Sequence, residues 1–517
     1  MSIAQTLTLL LAAAAMALWW SRSRRKALAL VLLGAGALAA AWALWQGGWQ
    51  AWPALAAMPL LAAPFLLRRR RWQRVLGRAL GALGVAGTLA CALALWLFPL
   101  FDLPQPDGPY AVGTRHFELV DPARRGVLED PPDTARRVVV WAWYPAAAGA
   151  GPVRTYFTAD ERGLAASVAR NWGLPGFAFD HLRQVRTHSR PDAPLSAAQA
   201  RWPVVVFNHG YWGWPGQNTA LMEKLASRGY LVFSIGHPYD AGAFTFADGR
   251  RIPTSPAKAA ASVPTAGMLA FWKARTHPAH YAAMAQYQHD FDRHRVMRSF
   301  NAWREDIGLV VDAVQAQRLP AAAEGLASAA DLSRLAFAGM SFGGTTSASA
   351  CHHDLRCAAA VNMDGEEFDW SLWNADIRVP LLLIHSDFET YPMFGPGTGT
   401  PHSTIMDYAY EPWDSAGLHP GVVRVRVAGE RHLGLTDLPL TARMPARGRF
   451  YGAQDGMAGV TASNDLVAAF LDQTLQGVPS GYPDQVLARH PVLQRHTAAS
   501  VRQWWQARSA APAAVSP

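Results

Sequence analysis

Leu335-Ala336-Phe337-Ala338-Gly339-Met340-Ser341-Phe342-Gly343-Gly344 is the stretch on which the fold turns. Its first four residues form an apolar run that suits a strand, and the small residues at 345–350 suit a helix. Between them stands G-x-S-x-G, a serine at the centre of a strand–turn–helix connection. Glycines two residues either side of Ser341 let neighbouring backbone approach, and the sharp turn lifts the hydroxyl away from the chain. The helix starting behind Ser341 points its first N–H groups toward negative charge developing there. A loop rich in glycine and serine is the alternative reading, and the flanking strand and helix argue against it.

Upstream, Pro203-Val204-Val205-Val206-Phe207 reads as a buried parallel strand. It leads into the turn-rich Asn208-His209-Gly210-Tyr211-Trp212-Gly213, then a helix over 218–227 closed by Gly229, then a strand over 230–235. An earlier strand is expected at 137–145. Strand, helix and strand in this order predict a doubly wound, mostly parallel α/β sheet of the α/β-hydrolase type. In that fold the oxyanion is held by the N–H after the nucleophile and one from the loop after an early strand. Those positions are Phe342 and Tyr211, although an ordinary turn at His209-Gly210 is the plainer reading.

A serine nucleophile needs a base, and in this fold the chain order is serine, acid, histidine. His352 and His353 follow Ser341 too closely, and His385, His402, His419, His490 and His496 lack a comparable setting. His432 follows the strand-like 422–427 and the Gly429-Glu430 turn, where a strand end delivers an imidazole to Ser341. Two carboxylates compete as the acid. Asp364 ends a strand over 358–363, and Asp387 lies just past a strand over 380–384.

Residues 241–300 form a weakly patterned insertion, read as a cap or lid over the site. Its histidines, His277, His280, His289 and His294, follow no ligand spacing, so neither a metal nor another cofactor is expected. Cys351 and Cys357 are close enough for a local disulfide in an oxidising compartment, or are two unpaired thiols at a helix end. Cys91 lies in an apolar run.

Half of the 517 residues are hydrophobic and 16% are charged. The formal charge of +9 is unevenly spread. Ten Lys and Arg precede residue 102 with no Asp or Glu, which leaves 37 basic against 38 acidic residues afterwards. A nucleic-acid partner is therefore not expected, because the folded domain carries no excess of basic charge. Apolar stretches at 3–20, 27–45, 51–67 and 79–101 predict a transmembrane region of about four helices over 1–101. Pro53 and Pro64 weaken the third, and a two-span hairpin is the rival arrangement. Basic clusters at 21–26 and 68–74 fall on one side if all four stretches span. That puts them in the cytoplasm, with the catalytic domain, 102–517, beyond the cell (inner) membrane. A cleavable signal peptide fits poorly, since no positive charge precedes the first apolar core.

The run 203–213 with Phe207-Asn208-His209-Gly210, the Gly339–Gly344 elbow, the strand ending at Asp364 and Gly429-Glu430-Arg431-His432 together resemble the platelet-activating-factor acetylhydrolase family. The likeness covers roughly 113–475. It implies a calcium-independent serine esterase that releases short acyl chains from phospholipids, and it selects Asp364 over Asp387 as the acid. Met340 replaces the histidine usual before the serine, and Gly365-Glu366 replaces a usually apolar pair. The expectation is a membrane-tethered carboxylic ester hydrolase using Ser341, His432 and Asp364 through an acyl-enzyme, with a lipid or small ester as substrate. Acyl transfer by the same residues and a non-catalytic membrane sensor are the rival readings.

Overall fold

The computed structural model describes residues 1–20, 25–149, 151–257, 265–292, 294–372, 377–388, 390, 391, 421–496 and 506. Part of the first basic cluster, at 21–24, and the histidines His402 and His419 lie outside them.

The chain divides into two compact units. The first holds Met1–Asp102 together with Arg154–Thr187 and Leu440–Arg447. Its helices are α1 (Ile3–Trp20), α2 (Lys26–Trp45), α3 (Trp52–Leu66) and α4 (Arg71–Leu97). Among the described residues three helices, α1, α2 and α4, are long and apolar enough to cross a membrane. The third stretch is helical but only 15 residues long, with prolines at 59 and 64 inside it. At about 1.5 Å per residue it falls short of a hydrocarbon core of about 30 Å. Its prolines are tolerated because neighbouring helices cover it, Met58, Leu61 and Phe65 being buried. The Trp49 indole donates to Ala178 O at 3.1 Å, tying the α2–α3 turn to the later segment, which includes α5 (Arg162–Asn171). The last of the apolar helices, α4, ends at Leu97, and the unit they build takes in two later segments.

The second unit is a ten-stranded sheet with flanking helices, an α/β-hydrolase fold. Its strands are β1 (Ala111–Arg125), β2 (Ala135–Ala146), β3 (Ser189–Pro191), β4 (Trp202–Asn208), β5 (Leu231–Gly236), β8 (Ala330–Met340), β9 (Cys357–Met363), β10 (Leu381–His385), β11 (Val422–Val427) and β12 (Leu493–Arg495). A separate hairpin pairs β6 (Phe244–Thr245) with β7 (Arg251–Ile252). The sheet order is β12-β11-β10-β9-β8-β4-β5-β2-β1-β3. From β11 through β5 all neighbours are parallel. Every residue of β4 and β5 is buried, as expected of strands covered on both faces.

Chain order reverses at β4, whose neighbours are β5 on one side and β8 on the other. In such sheets ligands bind at the carboxyl ends of strands beside the reversal. Asn208 of β4 pairs with Gly339 of β8, and Met340 with Met363 of β9, so these three strands end at one level. α6 (Thr219–Ser227) links β4 to β5, as expected. The insertion, expected as weakly patterned, contains α7 (Ala266–Lys273) and α8 (His277–Asp292) before α9 (Arg295–Gln315). Ile307, Val310, Val311 and Val314 of α9 pack on the sheet with Phe233 and Phe337. Cys351 and Cys357 form a disulfide between the end of α10 (Phe342–His353) and the start of β9.

Candidate active site

Ser341 sits where β8 ends and α10 begins, with φ 56° and ψ −127°. This conformation costs an L-residue on the order of 1–3 kcal/mol and persists only when its surroundings enforce it. Here the Ser341 N–H donates to Met363 O at 2.6 Å. The space beside it admits only glycine. A Cβ on Gly343 would lie 2.2 Å from Asn208 O and 2.4 Å from His209 O. The elbow and the end of β4 therefore touch backbone to backbone.

His432 opens a short 3-10 turn past β11. Its Nε2 lies 2.8 Å from Ser341 Oγ and its Nδ1 2.6 Å from Asp364 Oδ2. Asp364, directly after β9, also has positive φ, 62°, and its N–H donates to Ile384 O at 2.6 Å. The Ser386 N–H donates to Asp364 Oδ1 at 2.7 Å. One carboxylate oxygen is thus anchored by backbone while the other faces the imidazole. With the Nδ1–H donating to Asp364, Nε2 accepts from the serine hydroxyl. This arrangement can lower the cost of deprotonating Ser341 during attack on a carbonyl.

Asp387 is placed differently. Its carboxylate accepts from the Gly429 N–H at 2.8 Å, Thr390 Oγ1 at 3.0 Å and Arg426 at 3.3 Å. It braces the turn that leads to His432 rather than the imidazole itself.

Tyr211 and Phe342 lie on the two segments that meet at Ser341. A Cβ on Gly210 would be 3.3 Å from Ser341 Cβ. The Gly210 N–H is taken up by Gln217 Oε1 at 3.1 Å. Tyr211 and Trp212 follow, and the Trp212 N–H donates to Asp240 O at 2.6 Å. Tyr211 Oη meets Ser299 Oγ at 3.2 Å, and its ring centroid is 5.0 Å from that of Phe342. Burial pushes the Tyr211 phenol well above its ordinary range, so it is a neutral hydroxyl.

Behind this loop runs a buried polar chain that the sequence did not reveal. His237 bridges Asn208 at 3.0 Å and Asp306 Oδ2 at 2.9 Å, with its ring stacked on Trp303 at 3.7 Å. Asp306 in turn meets Arg136 at 2.7 Å and Arg124 at 2.8 Å. Burial works against its charge, yet Arg136 and the His237 hydrogen bond hold the Asp306 carboxyl well below the usual carboxylate range.

The insertion contributes an aromatic cluster. Phe271, Tyr287 and Phe291 from it cluster with Phe300 and Trp303 of α9, with Phe342 next to Ser341 and with Phe368 four residues past Asp364. Tyr287 Oη donates to Glu366 Oε2 at 3.0 Å, two residues past Asp364. Burial, opposed by that hydrogen bond and reinforced by the Asp364 charge, pushes the Glu366 carboxyl up to about 8. Glu366 stays protonated in the fold at pH values where the unfolded chain has released its proton. Stability therefore declines as pH rises from the ordinary glutamate range toward 8, by at most about 1.4 kcal/mol per pH unit from this group. Glu366→Gln should flatten that decline, gaining on wild type at pH 8 but not at pH 4. Thermal melts of both proteins across this range check it, and parallel pH profiles would refute it.

Among the described residues no group of three His, Cys, Asp or Glu is placed to hold a metal ion. His294 instead caps α9, its Nδ1 accepting from the Val296 N–H at 3.3 Å.

A family model described as platelet-activating factor acetylhydrolase, isoform II, matches residues 97–392. The match includes Ser341 and Asp364 and stops short of His432. No curated protein matches the chain closely enough to count as a relative. Among solved structures, a ferulic acid esterase from Streptomyces cinnamoneus is similar, with 23% identity and a TM-score of 0.57 over 77% of this chain and 100% of that one. At that identity the likeness speaks for the fold.

Proposed function

The chain belongs to the platelet-activating factor acetylhydrolase, isoform II, family and is a carboxylic ester hydrolase, and from that premise we propose a membrane-anchored serine esterase working through an acyl-enzyme. The observation that carries the reading is the hydrogen-bonded line Ser341–His432–Asp364 at the carboxyl ends of β8 and β9. Ser341 Oγ attacks the ester carbonyl as His432 Nε2 takes its proton, and Asp364 steadies the imidazolium. The Phe342 and Tyr211 N–H groups hold the oxyanion, acting before charge appears because backbone cannot reorganise away. His432 returns the proton to the leaving alkoxide. It then takes one from the water that attacks the acyl carbon and passes it to Ser341 Oγ as the acyl–oxygen bond breaks and the acid is released.

The aromatic cluster of Phe271, Tyr287 and Phe291 supports an apolar acyl or alcohol group on the substrate, a lipid or a small ester. That cluster also favours a second substrate reading, an aromatic acyl ester, which is the class named for the similar Streptomyces structure. The apolar α1, α2 and α4 support anchoring, and the Cys351–Cys357 disulfide supports a catalytic unit on the oxidising side, outside the cytoplasm.

The test is covalent. A fluorophosphonate probe on the full-length protein should leave one adduct, mapped by peptide mass spectrometry to Ser341, and turnover on a panel of short alkanoyl, phospholipid and aryl-acyl esters should name the substrate class. No adduct on the folded protein, or one on another serine, would end the serine-esterase mechanism.

A further inference from the structure

In the helical unit, α1 stops, α3 ends and α4 begins around an open cavity of about 620 Å³. It is lined by Trp19 and Trp20, by Pro64, and by three arginines, Arg68, Arg74 and Arg78. Arg74 and Arg78 are one turn apart on α4, so their like charges share a face and repel. Arg68 is turned into place by donating through Nε to Pro64 O at 2.8 Å. Gly81, three residues past Arg78, lets the layers close up. A Cβ there would lie 2.6 Å from Pro64 Cγ and 3.2 Å from the Trp19 ring. The indole is thereby set beside the guanidinium groups.

Nothing in these helices neutralises that charge. No Asp or Glu occurs before Asp102, and among the described residues none that lines the cavity is acidic. Three guanidinium groups converging without a carboxylate form a site for an anion, and Arg matches phosphate geometry in a bidentate way. The cavity lies where the apolar helices end and tryptophans cluster, which is the headgroup level of a bilayer. Basic pockets between membrane helices on the cytoplasmic side hold phosphate-bearing lipids.

We propose that this cavity binds the phosphate of an anionic phospholipid, with Arg68, Arg74 and Arg78 on the phosphate and Trp19 against the glycerol and upper acyl chain. The site rests on the reading of α1, α2 and α4 as membrane spans, with α3 packed between α2 and α4 and carrying the chain back to the level at which α1 ends. Its neighbours Arg69, Arg70 and Arg71 do not line the cavity, which provides a control of equal charge.

Full-length protein in nanodiscs of phosphatidylcholine with phosphatidylglycerol is compared by native mass spectrometry for phosphatidylglycerol retained after delipidation. Arg68→Gln/Arg74→Gln/Arg78→Gln should weaken retention on the order of 100-fold, taking about 1 kcal/mol per charge. Arg69→Gln/Arg70→Gln/Arg71→Gln should stay within about threefold of wild type, because diffuse surface charge is screened. Equal losses in the two triples, or none in the first, would overturn the site, as would displacement of the lipid by inorganic phosphate. Extraction with alkaline carbonate separates the premise: release of wild type from membranes would overturn the anchor and this site with it, whereas retention with equal lipid counts overturns the site alone.

Discussion

Asp364→Asn lowers kcat about 10⁴-fold with KM little changed, while Asp387→Asn costs at most about tenfold. The difference follows from what each carboxylate touches. The Ser386 N–H needs an acceptor at Asp364 Oδ1, so an asparagine there keeps its oxygen on Ser386 and turns its NH₂ toward His432. An NH₂ can only donate, which forces Nδ1 to accept and moves the ring proton to Nε2. Nε2 then has no lone pair for the Ser341 hydroxyl, 2.8 Å away, and proton transfer fails although the geometry survives. Asp387 carries no such burden, since an asparagine oxygen still accepts the Gly429 N–H. Steady-state kinetics on the ester turned over best, with fluorophosphonate labelling rates alongside, decide the matter. If Asp364→Asn keeps more than about a tenth of wild-type kcat, or Asp387→Asn suffers the larger loss, the proposed acid is misassigned.

Local patterns carried much of this fold. The apolar runs within β4, β8, β9 and β10 are short because parallel strands are covered on both faces, and turn residues mark their ends, whereas β11 sets Arg424 and Arg426 among valines. Since this sheet gathers its chemistry at strand ends, reading the ends also brought up Ser341, His432 and the two carboxylates Asp364 and Asp387 as candidates. Between the two acids the residues alone were undecided, because Asp364 and Asp387 each follow a strand. What separates them is whether the side chain meets His432 or Gly429, a fact of tertiary packing.

Other features had no local signature. α8 was illegible as a helix because its apolar residues, Tyr287 and Phe291, meet partners from α9, the elbow and Phe368 rather than one continuous face. β1 went unread because its partly exposed length shows no clean alternation, although it pairs with β2 over most of that strand. The Tyr287–Glu366 hydrogen bond joins residues 79 apart in sequence, so Glu366 stood out only as an unusual neighbour of Asp364. The segment at 154–187 joins the helical unit through contacts such as Trp49 with Ala178, which composition cannot foretell. Arg136 and Asp306 were least visible of all. One reads as a polar residue beginning a strand and the other as part of a helix's polar face, yet both side chains are fully buried.

That burial makes Asp306→Ala the most damaging substitution for stability. Paired with Asp306, the Arg136 guanidinium is tolerable in the interior, because two hydrogen bonds at 2.7 and 3.1 Å offset part of its lost hydration. Without Asp306 the charge stays buried with Asp130 at 3.7 Å and the more distant Asp240 as its carboxylates among the described residues, neither replacing the lost hydrogen bonds, and breaking such a pair costs about 3–5 kcal/mol. His237 loses its anchor too, and with it the brace on Asn208 beneath the Tyr211 loop, so activity should fall before the protein unfolds. Arg136→Leu with Asp306→Leu removes both charges together. Replacing a buried pair by apolar side chains is often close to neutral, so the double variant should recover most of the stability while leaving His237 unbraced. The readout is the temperature at which full-length protein in detergent loses fluorophosphonate labelling. It should drop by about 5 °C in Asp306→Ala and by roughly half of that or less in the double variant. A double variant as labile as Asp306→Ala would mean that the cost lies in packing rather than in an orphaned charge, and an unshifted Asp306→Ala would remove the buried pair from the account of stability.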